Sequence, residues 1–223
     1  NSGIKSIKIP TGVKSIDKDA FRRCNVLERV IVPAGCTNIH PEAFKFDSKL
    51  ANIDVDPANP KYSSVQGILL SKDKSELLIF PPGKARTDFT LLPPSITKIG
   101  DFAFYEGNAN FTNIVIPAKV NTIGKRAFGL NPALKTMTLL CDEMIPSSKI
   151  DQGTNTMAFD DGTVATDNAK QHITVYVRKN LLAQYKADPF WKQFTLKPSF
   201  TVKAEGATAA TDEYIPTSTT TVD

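Results

Sequence analysis

The chain has 223 residues, 41% of them apolar, a share that folded domains use and that excludes general disorder. Its 27 Lys and Arg against 23 Asp and Glu leave a net charge of +4. No basic run and no stretch of 18 apolar residues occurs, so neither nucleic acid nor a spanning helix is expected.

The chain opens on Asn1-Ser2-Gly3 without a charged and apolar leader, so a signal or lipoprotein leader is expected to lie outside this sequence. From there it repeats itself. Ile7-Lys8-Ile9-Pro10 leads through Val13 and Ile16 to Ala20-Phe21 and Leu27. Val30-Ile31-Val32-Pro33 leads through Cys36 and Ile39 to Ala43-Phe44 and Leu50, 23 residues later by either the proline or the Ala-Phe marker. Two more copies run from Leu92-Pro93 through Ile96 and Ile99 to Ala103-Phe104, and from Ile114-Val115-Ile116-Pro117 through Val120 and Ile123 to Ala127-Phe128 and Leu134. Units this short cannot bury their own apolar stripe. Stacked as a solenoid, they form three ladders: Val13, Cys36, Ile96 and Val120; Ile16, Ile39, Ile99 and Ile123; and Phe21, Phe44, Phe104 and Phe128. The alternating β-branched residues suit short parallel strands, each closed by a proline that cannot extend a ladder. The Ala-Phe segments read as single helical turns that start at Asp17 or at Gly100-Asp101.

Pro33 to Pro93 spans one repeat plus 37 inserted residues. Within them, Val65–Leu70 and Glu76–Phe80 are β-prone runs around the polar turn 72–75, which predicts a hairpin projecting from the array or covering its side. A fifth, eroded strand at Met137-Thr138-Leu139 gives way to a polar, irregular stretch, 142–170. Then Ile173–Val177 reads as a strand, and Asn180 as the N-cap of a short helix carrying Leu182 and Tyr185. Asp188-Pro189 reads as a second helix start, with Trp191 and Phe194 facing inward. The implied division is a repeat array at 1–145 with its insertion at about 56–90, a capping segment at 146–197, and a Thr/Ala-rich tail or linker at 198–223.

The repeated pattern Ile-x-Ile-Pro-x-x-Val-x-x-Ile-x-x-x-Ala-Phe resembles the BspA-like leucine-rich repeat family of Bacteroides-type bacterial cell-surface proteins. The stretch from Asn59 through Tyr62, Val65 and Gly67 looks like that family's hairpin insertion, and Val175, Val177, Tyr185, Trp191 and Phe194 look like its C-terminal cap. Asp56 departs from the pattern where the repeat has proline, Gln66 precedes Gly67 where the family often has an acidic residue or Asn, and the fifth repeat is eroded. The resemblance implies a leucine-rich repeat solenoid, mostly short parallel strands with short helical turns. It also implies an extracytoplasmic, cell-surface or secreted protein of gut or oral bacteria, whose relatives are linked to adhesion to host matrix proteins or other cells.

Candidate sites are few. Two histidines, His40 and His172, supply little for a triad, a Cys-His pair or a His-rich metal site, and composition leans against an enzyme. Cys24, Cys36 and Cys141 are spaced 12 and 105 apart with no Cys-x-x-Cys. Cys36 takes a ladder position and reads as a buried small hydrophobe, with a Cys24–Cys36 disulfide as the alternative. Asp54 and Asp56 share a strand face, where paired carboxylates can do acid/base work or bind calcium; a solvated strand edge is the simpler reading. Asp160-Asp161-Gly162 with Asp167 and Asn168 lacks EF-hand spacing, and no Walker or G-x-G-x-x-G pattern occurs. Asn110-Phe111-Thr112 fits a glycosylation acceptor only formally. No catalytic residue, metal or cofactor is expected.

What remains is the outward face of the strands. If Ile7/Ile9, Val30/Val32, Ile53/Val55, Ile114/Ile116 and Met137/Leu139 point inward, then Lys8, Arg29, Ile31, Asn52, Asp54, Asn113, Val115, Thr136 and Thr138 form one exposed ladder, the kind of surface solenoids bind with. The expected partner is a host matrix or cell-surface protein or a glycan, and a monomer is the default state. The alternatives are a spacer that presents another domain and a glycan-active enzyme, which would need convergent carboxylates beyond Asp54 and Asp56.

Overall fold

Each repeat proline begins the turn that follows it. The amides of Val13, Cys36, Ile96 and Val120 donate to the carbonyls of Pro10, Pro33, Pro93 and Pro117 at 3.0–3.2 Å. Each turn swings the residue three after the proline into the core, and Cys36, Ile96 and Val120 are at most 2% exposed. The chain then enters a second, two-residue strand. In the computed structural model, which describes residues 3–84, 92–106, 111–151, 158–159 and 172–199, this unit stacks on its successors as a solenoid with few short helices.

The first-row strands are β1 (Ser6–Lys8), β3 (Arg29–Val32) and β5 (Asn52–Val55), parallel and in register, so that Ile7, Val30 and Ile53 stack. The second-row strands β2 (Ser15–Ile16) and β4 (Asn38–Ile39) pair alongside them. Past the insertion, β9 (Lys98–Ile99) and β11 (Thr122–Ile123) continue the second row. The first row resumes as β10 (Asn113–Ile116) and β12 (Thr136–Leu139), and is extended by β13 (Thr174–Val177) and β14 (Thr195–Pro198). Lys197 and Pro198, read from sequence as the edge of the tail, lie in that last parallel strand; residues 200–223 lie outside the described residues.

The insertion is a three-stranded antiparallel meander of β6 (Tyr62–Val65), β7 (Ile68–Ser71) and β8 (Glu76–Ile79). The 72–75 turn falls between β7 and β8 as expected. The stretch whose resemblance implied a hairpin supplies β6, and the run 65–70, expected as one strand, is broken by a two-residue turn at Gln66 and Gly67, at φ of 50° and 77°. That geometry matches the twist of the strands. Gly67 also passes Asn52 so closely that a Cβ would lie 2.8 Å from its Cα. The meander does not project. It joins the rows: β8 pairs in parallel with β9, while the Ile53 amide donates to the Gly67 carbonyl at 2.8 Å. Phe80, at its end, takes a place in the phenylalanine ladder, stacking on Phe104 at 5.2 Å.

The Ala-Phe segments are tight turns, and the expected helical turns are absent from the described residues at these positions. Asp19, Arg23, Phe46, Phe102, Glu106, Arg126 and Leu130 sit at φ between 46° and 66°, a left-handed conformation that breaks a helix. Their alternate amides are spent on the next unit: Phe21 donates to Ala43, Phe104 to Ala127 and Phe128 to Ala158, at 2.7–2.9 Å. A helix would use those N–H groups internally and leave the units unbonded on this side. The ladder rings stack accordingly, Phe21 on Phe44 and Phe104 on Phe128, both at 5.3 Å, and Phe128 on Phe159 at 5.0 Å. Ala158-Phe159 is thus a fifth copy inside the stretch read as irregular.

At the C-terminal end, the helix α1 (Leu182–Ala187) follows a 3-10 turn at Lys179–Leu181. Asn180 therefore lies inside that turn and does not cap α1, whose N-cap Leu181 offers no side-chain bond. Asp188 accepts from the Phe190 and Trp191 amides at 2.9 and 3.2 Å, the bonding expected of a helix start, but the element that follows is only a 3-10 turn, Trp191–Gln193, whose N-cap is Phe190. Where the meander returns to the array, Gly83 donates to the Leu50 carbonyl, and a Cβ on it would lie 2.3 Å from the Lys49 carbonyl carbon. Gly83→Ala is expected to destabilise by about 1–3 kcal/mol, because backbone rather than a movable side chain must yield; urea denaturation measures it, and an unchanged midpoint refutes the close approach.

Candidate functional site

The structure divides the predicted exposed ladder in two. In the β1-β3-β5 sheet, Lys8, Ile31 and Asp54 form one row and Ser6, Arg29 and Asn52 the other. Lys8 and Arg29 are exposed, while Ile31, Asn52 and Asp54 are half-buried. Arg29 Nε donates to Asp54 Oδ2 at 2.7 Å across neighbouring strands. Both groups reach solvent, so the pair contributes at most about 1 kcal/mol. Beyond β5, the sheet meets the meander instead of another repeat: the Val55 amide donates to Ser64 Oγ at 2.9 Å.

The second sheet runs β10-β12-β13-β14. Its rows are Asn113, Thr136, Thr174 and Thr195, and Val115, Thr138, Tyr176 and Lys197. Asn113 is exposed, and Val115 and Thr136 are half-buried. Thr138, expected outside, is only 2% exposed: its short side chain is held in register between those of Val115 and Tyr176, which leave it no open surface. Sequence reasoning missed Thr174, Tyr176, Thr195 and Lys197 as members of this face. The alternation in Thr174-Val175-Tyr176-Val177 carried the signal, but the strand was assigned to the cap alone.

The other candidates have structural partners. Besides Asp54, whose partner is Arg29, Asp56 accepts from the Ala58 amide at 2.9 Å. His40 is half-buried, its Nδ1 accepting from the Glu42 amide at 3.1 Å, and His172 is exposed beside β13. All three cysteines are free thiols, so Cys24 and Cys36 form no disulfide here. Burial raises each thiol pKa, that of Cys141 to about 12, which disfavours the nucleophilic thiolate. Among the described residues no group of three or more His, Cys, Asp and Glu could hold a metal ion; Asp160, Asp161, Gly162, Asp167, Asn168 and Asn110 lie outside them. An open groove of about 480 Å³ is lined by residues that include Val120, Met144, Pro146, Lys119, Glu143 and Lys149. No described helix is long and apolar enough to cross a membrane.

The family model for the BspA type leucine rich repeat region matches residues 1–66 and 86–152 in six copies. Among solved structures, a leucine-rich repeat protein from Eubacterium ventriosum is 18% identical with a TM-score of 0.51, over 78% of this chain and 48% of that one. This chain thus spans about half the length of that protein. The pneumococcal vaccine antigen PcpA is 16% identical with a TM-score of 0.43, over 88% and 67% of the two chains. A leucine rich cell surface protein from Faecalibacterium prausnitzii is 21% identical with a TM-score of 0.32, over 81% and 65%. No curated protein matches the sequence.

Proposed function

Because the chain belongs to the BspA-type leucine-rich repeat family of bacterial surface proteins, we propose that it is a non-enzymatic binding module. In this reading it works outside the cytoplasm and adheres to a host or bacterial surface protein or glycan through its strand faces. The observation that carries this is the β10-β12-β13-β14 sheet, four parallel strands in register that offer one straight row of short polar groups, Asn113, Thr136, Thr174 and Thr195, beside Tyr176. The sheet stands on a rigid layer of Ile114, Met137, Val175 and Val177, each at most 1% exposed. Such a face is organised before binding, so little ordering entropy opposes a partner. Tyr176 presents a large amphipathic surface with few rotatable bonds, the residue type that dominates interface energetics. Lys8, Arg29, Ile31, Asn52 and Asp54 form a second, smaller face in the same reading. No cofactor takes part.

The test is a binding screen of the purified chain against matrix proteins and glycans, repeated with Asn113, Thr136, Thr174 and Tyr176 replaced together by alanine. Binding of any captured partner is expected to fall at least about tenfold, the loss of a single interface anchor, with an unchanged melting temperature. A partner held equally well by the variant overturns the assignment of the face.

A further inference from the structure

The stack of apolar layers is interrupted where the meander enters. Buried side chains fall into two clusters. One holds Val30, Cys36, Phe44, Leu50 and Ile53 and takes Leu69 and Ile79 from the meander. The other starts from Ile68, Leu70, Leu77 and Phe80 and runs to the cap. Between them, Phe44, Ile79, Phe80, Phe102 and Tyr105 line a narrow cavity of about 10 Å³, at the lower limit for one water.

Two buried carboxylates lie on the turn side of this seam, near enough that the charge of Glu106 acts on Asp47. Asp47 is fully buried; its Oδ1 accepts from the Cys24 amide at 2.8 Å, and its Oδ2 has no hydrogen-bond partner. Both oxygens of Glu106 are buried and neither has a hydrogen bond of full geometry, although the Phe46 amide lies near enough to favour the charged form. Asp47 follows Phe44 and belongs to the first block, whereas Glu106 follows Phe104 and belongs to the second. The repeat shows what the Asp47 position is built for. Asn131 lies three residues after Phe128, as Asp47 lies three after Phe44, and its Nδ2 donates to the carbonyls of Phe104 and Gly129 at 2.7 and 3.0 Å. A carboxylate has no proton to give there; a neutral carboxyl has one.

We propose that Asp47 and Glu106 form a proton-operated latch on this seam: neutral, they let the two blocks close, and ionised, they drive the turns that carry them apart. The seam separates the β1-β3-β5 sheet from the β10-β12-β13-β14 sheet, so the latch sets how the two strand faces lie to one another. It stands whether or not those faces bind a partner.

Among the described residues, the charged and titratable groups around the pair come from four turns. The first contributes Lys18, Asp19, Arg22, Arg23 and Cys24, and the second Glu42 and Lys45. Tyr105 comes from the third and Arg126 from the fourth. Lys45 is paired with Glu42 at 2.8 Å and with Asp19 at 3.3 Å, and Lys18 with Glu42 at 3.0 Å. Arg22 and Arg23 lie over the Phe46 ring at 5.2 and 5.1 Å. Burial raises Asp47 to about 7, opposed by the Cys24 amide and reinforced by the Glu106 charge. Burial likewise raises Glu106 to about 7, offset in part by the Phe46 amide and by the charges of Lys45 and Arg22. With the seam open, both groups return to the ordinary range near 4. The closed form therefore binds more protons than the open one between about pH 4 and 7, and opening grows with pH across that window and levels off above it.

The experiment titrates the side-chain carboxyl carbons of the intact chain by NMR and follows amide exchange at Phe21, Phe104 and Glu106, corrected for intrinsic rates. Midpoints near 7 are expected, with exchange at least about tenfold faster at pH 8 than at pH 5. Asp47→Asn with Glu106→Gln is expected to abolish this dependence. Asp47→Asn alone, which places the residue found at 131, is expected to fold and to weaken it. Midpoints near 4, exchange independent of pH despite midpoints near 7, or an unaltered dependence in the double variant each overturn the latch.

Discussion

Replacing Asn59 with alanine is expected to lower stability by about 3–5 kcal/mol, the range of changes that break a buried polar network. Asn59 is fully buried and uses all its side-chain hydrogen-bonding groups on backbone. Its Nδ2 donates to the carbonyls of Pro33 and Cys36 at 3.0 and 2.8 Å, and its Oδ1 accepts from the Lys61 and Tyr62 amides, both at 2.9 Å. One side chain thus ties the turn of the second repeat to the start of the meander, and alanine leaves two carbonyls and two amides without their partner. Tyr62, positioned by that contact, accepts from the Ile39 amide at 3.0 Å and donates to the Thr37 carbonyl at 3.3 Å, so the loss spreads along β4. For a chain of this length the melting temperature is expected to drop by roughly 10 °C. Asn59→Asp keeps both acceptors but sets a charge against two carbonyls, so it should be at least as damaging at neutral pH and should recover partly in acid. An alanine variant within about 1 kcal/mol of the native chain in urea denaturation would mean that water already satisfies this turn, contrary to its burial.

The ladders were legible because the units share a spacing and each rung has one chemical type; Ile99, Ile123, Phe104 and Phe128 fall where the period places them. Phe80 and Phe159 were missed because the period fails there. The inserted residues reset the count before Phe80, and Ala158 follows Ala127 by 31 residues through polar chain. The Ala-Phe turns were misread because Asp17 and Asp101 resemble helix starts, and local signals do not reveal that the following amides are claimed by the neighbouring unit. At the strand faces, alternation identified which side chains point outward. Their exposure depends on neighbours in other strands, so the burial of Thr138 between Val115 and Tyr176 was not visible. Nor was the division of the face, since only the pairing of β8 with β9, and the docking of Gly67 on β5, turns the insertion from an appendage into a joint. Asp47 resembled any turn aspartate until its burial and its correspondence to Asn131 were seen.

Truncating Trp191 to alanine is expected to cost about 3–5 kcal/mol and to loosen the C-terminal end before the rest. Trp191 is fully buried. Its ring packs against Phe190, Tyr185 and Phe194 at 5.1–5.5 Å and meets Phe159, the last described rung of the phenylalanine ladder, at 6.4 Å. Its Nε1 donates to the Ile145 carbonyl at 2.6 Å, while the Ile145 amide donates to Tyr185 Oη at 3.2 Å. Two aromatic side chains of the cap therefore hold both backbone groups of one buried residue. Trp191→Phe keeps most of the apolar contact and strands the Ile145 carbonyl, so it should lose roughly 1–3 kcal/mol, which separates the hydrogen bond from the packing. Because a solenoid unit is stabilised mainly by its neighbours, the loss should reach β14, β13 and β12 in that order and fade toward β3. Amide exchange reads this gradient: faster exchange in β12 to β14 of Trp191→Ala, with β3 and β4 close to native, is the expected pattern. Uniform acceleration along the array would mean that the chain unfolds as one unit, and an unchanged pattern would mean that the last layer holds without its cap.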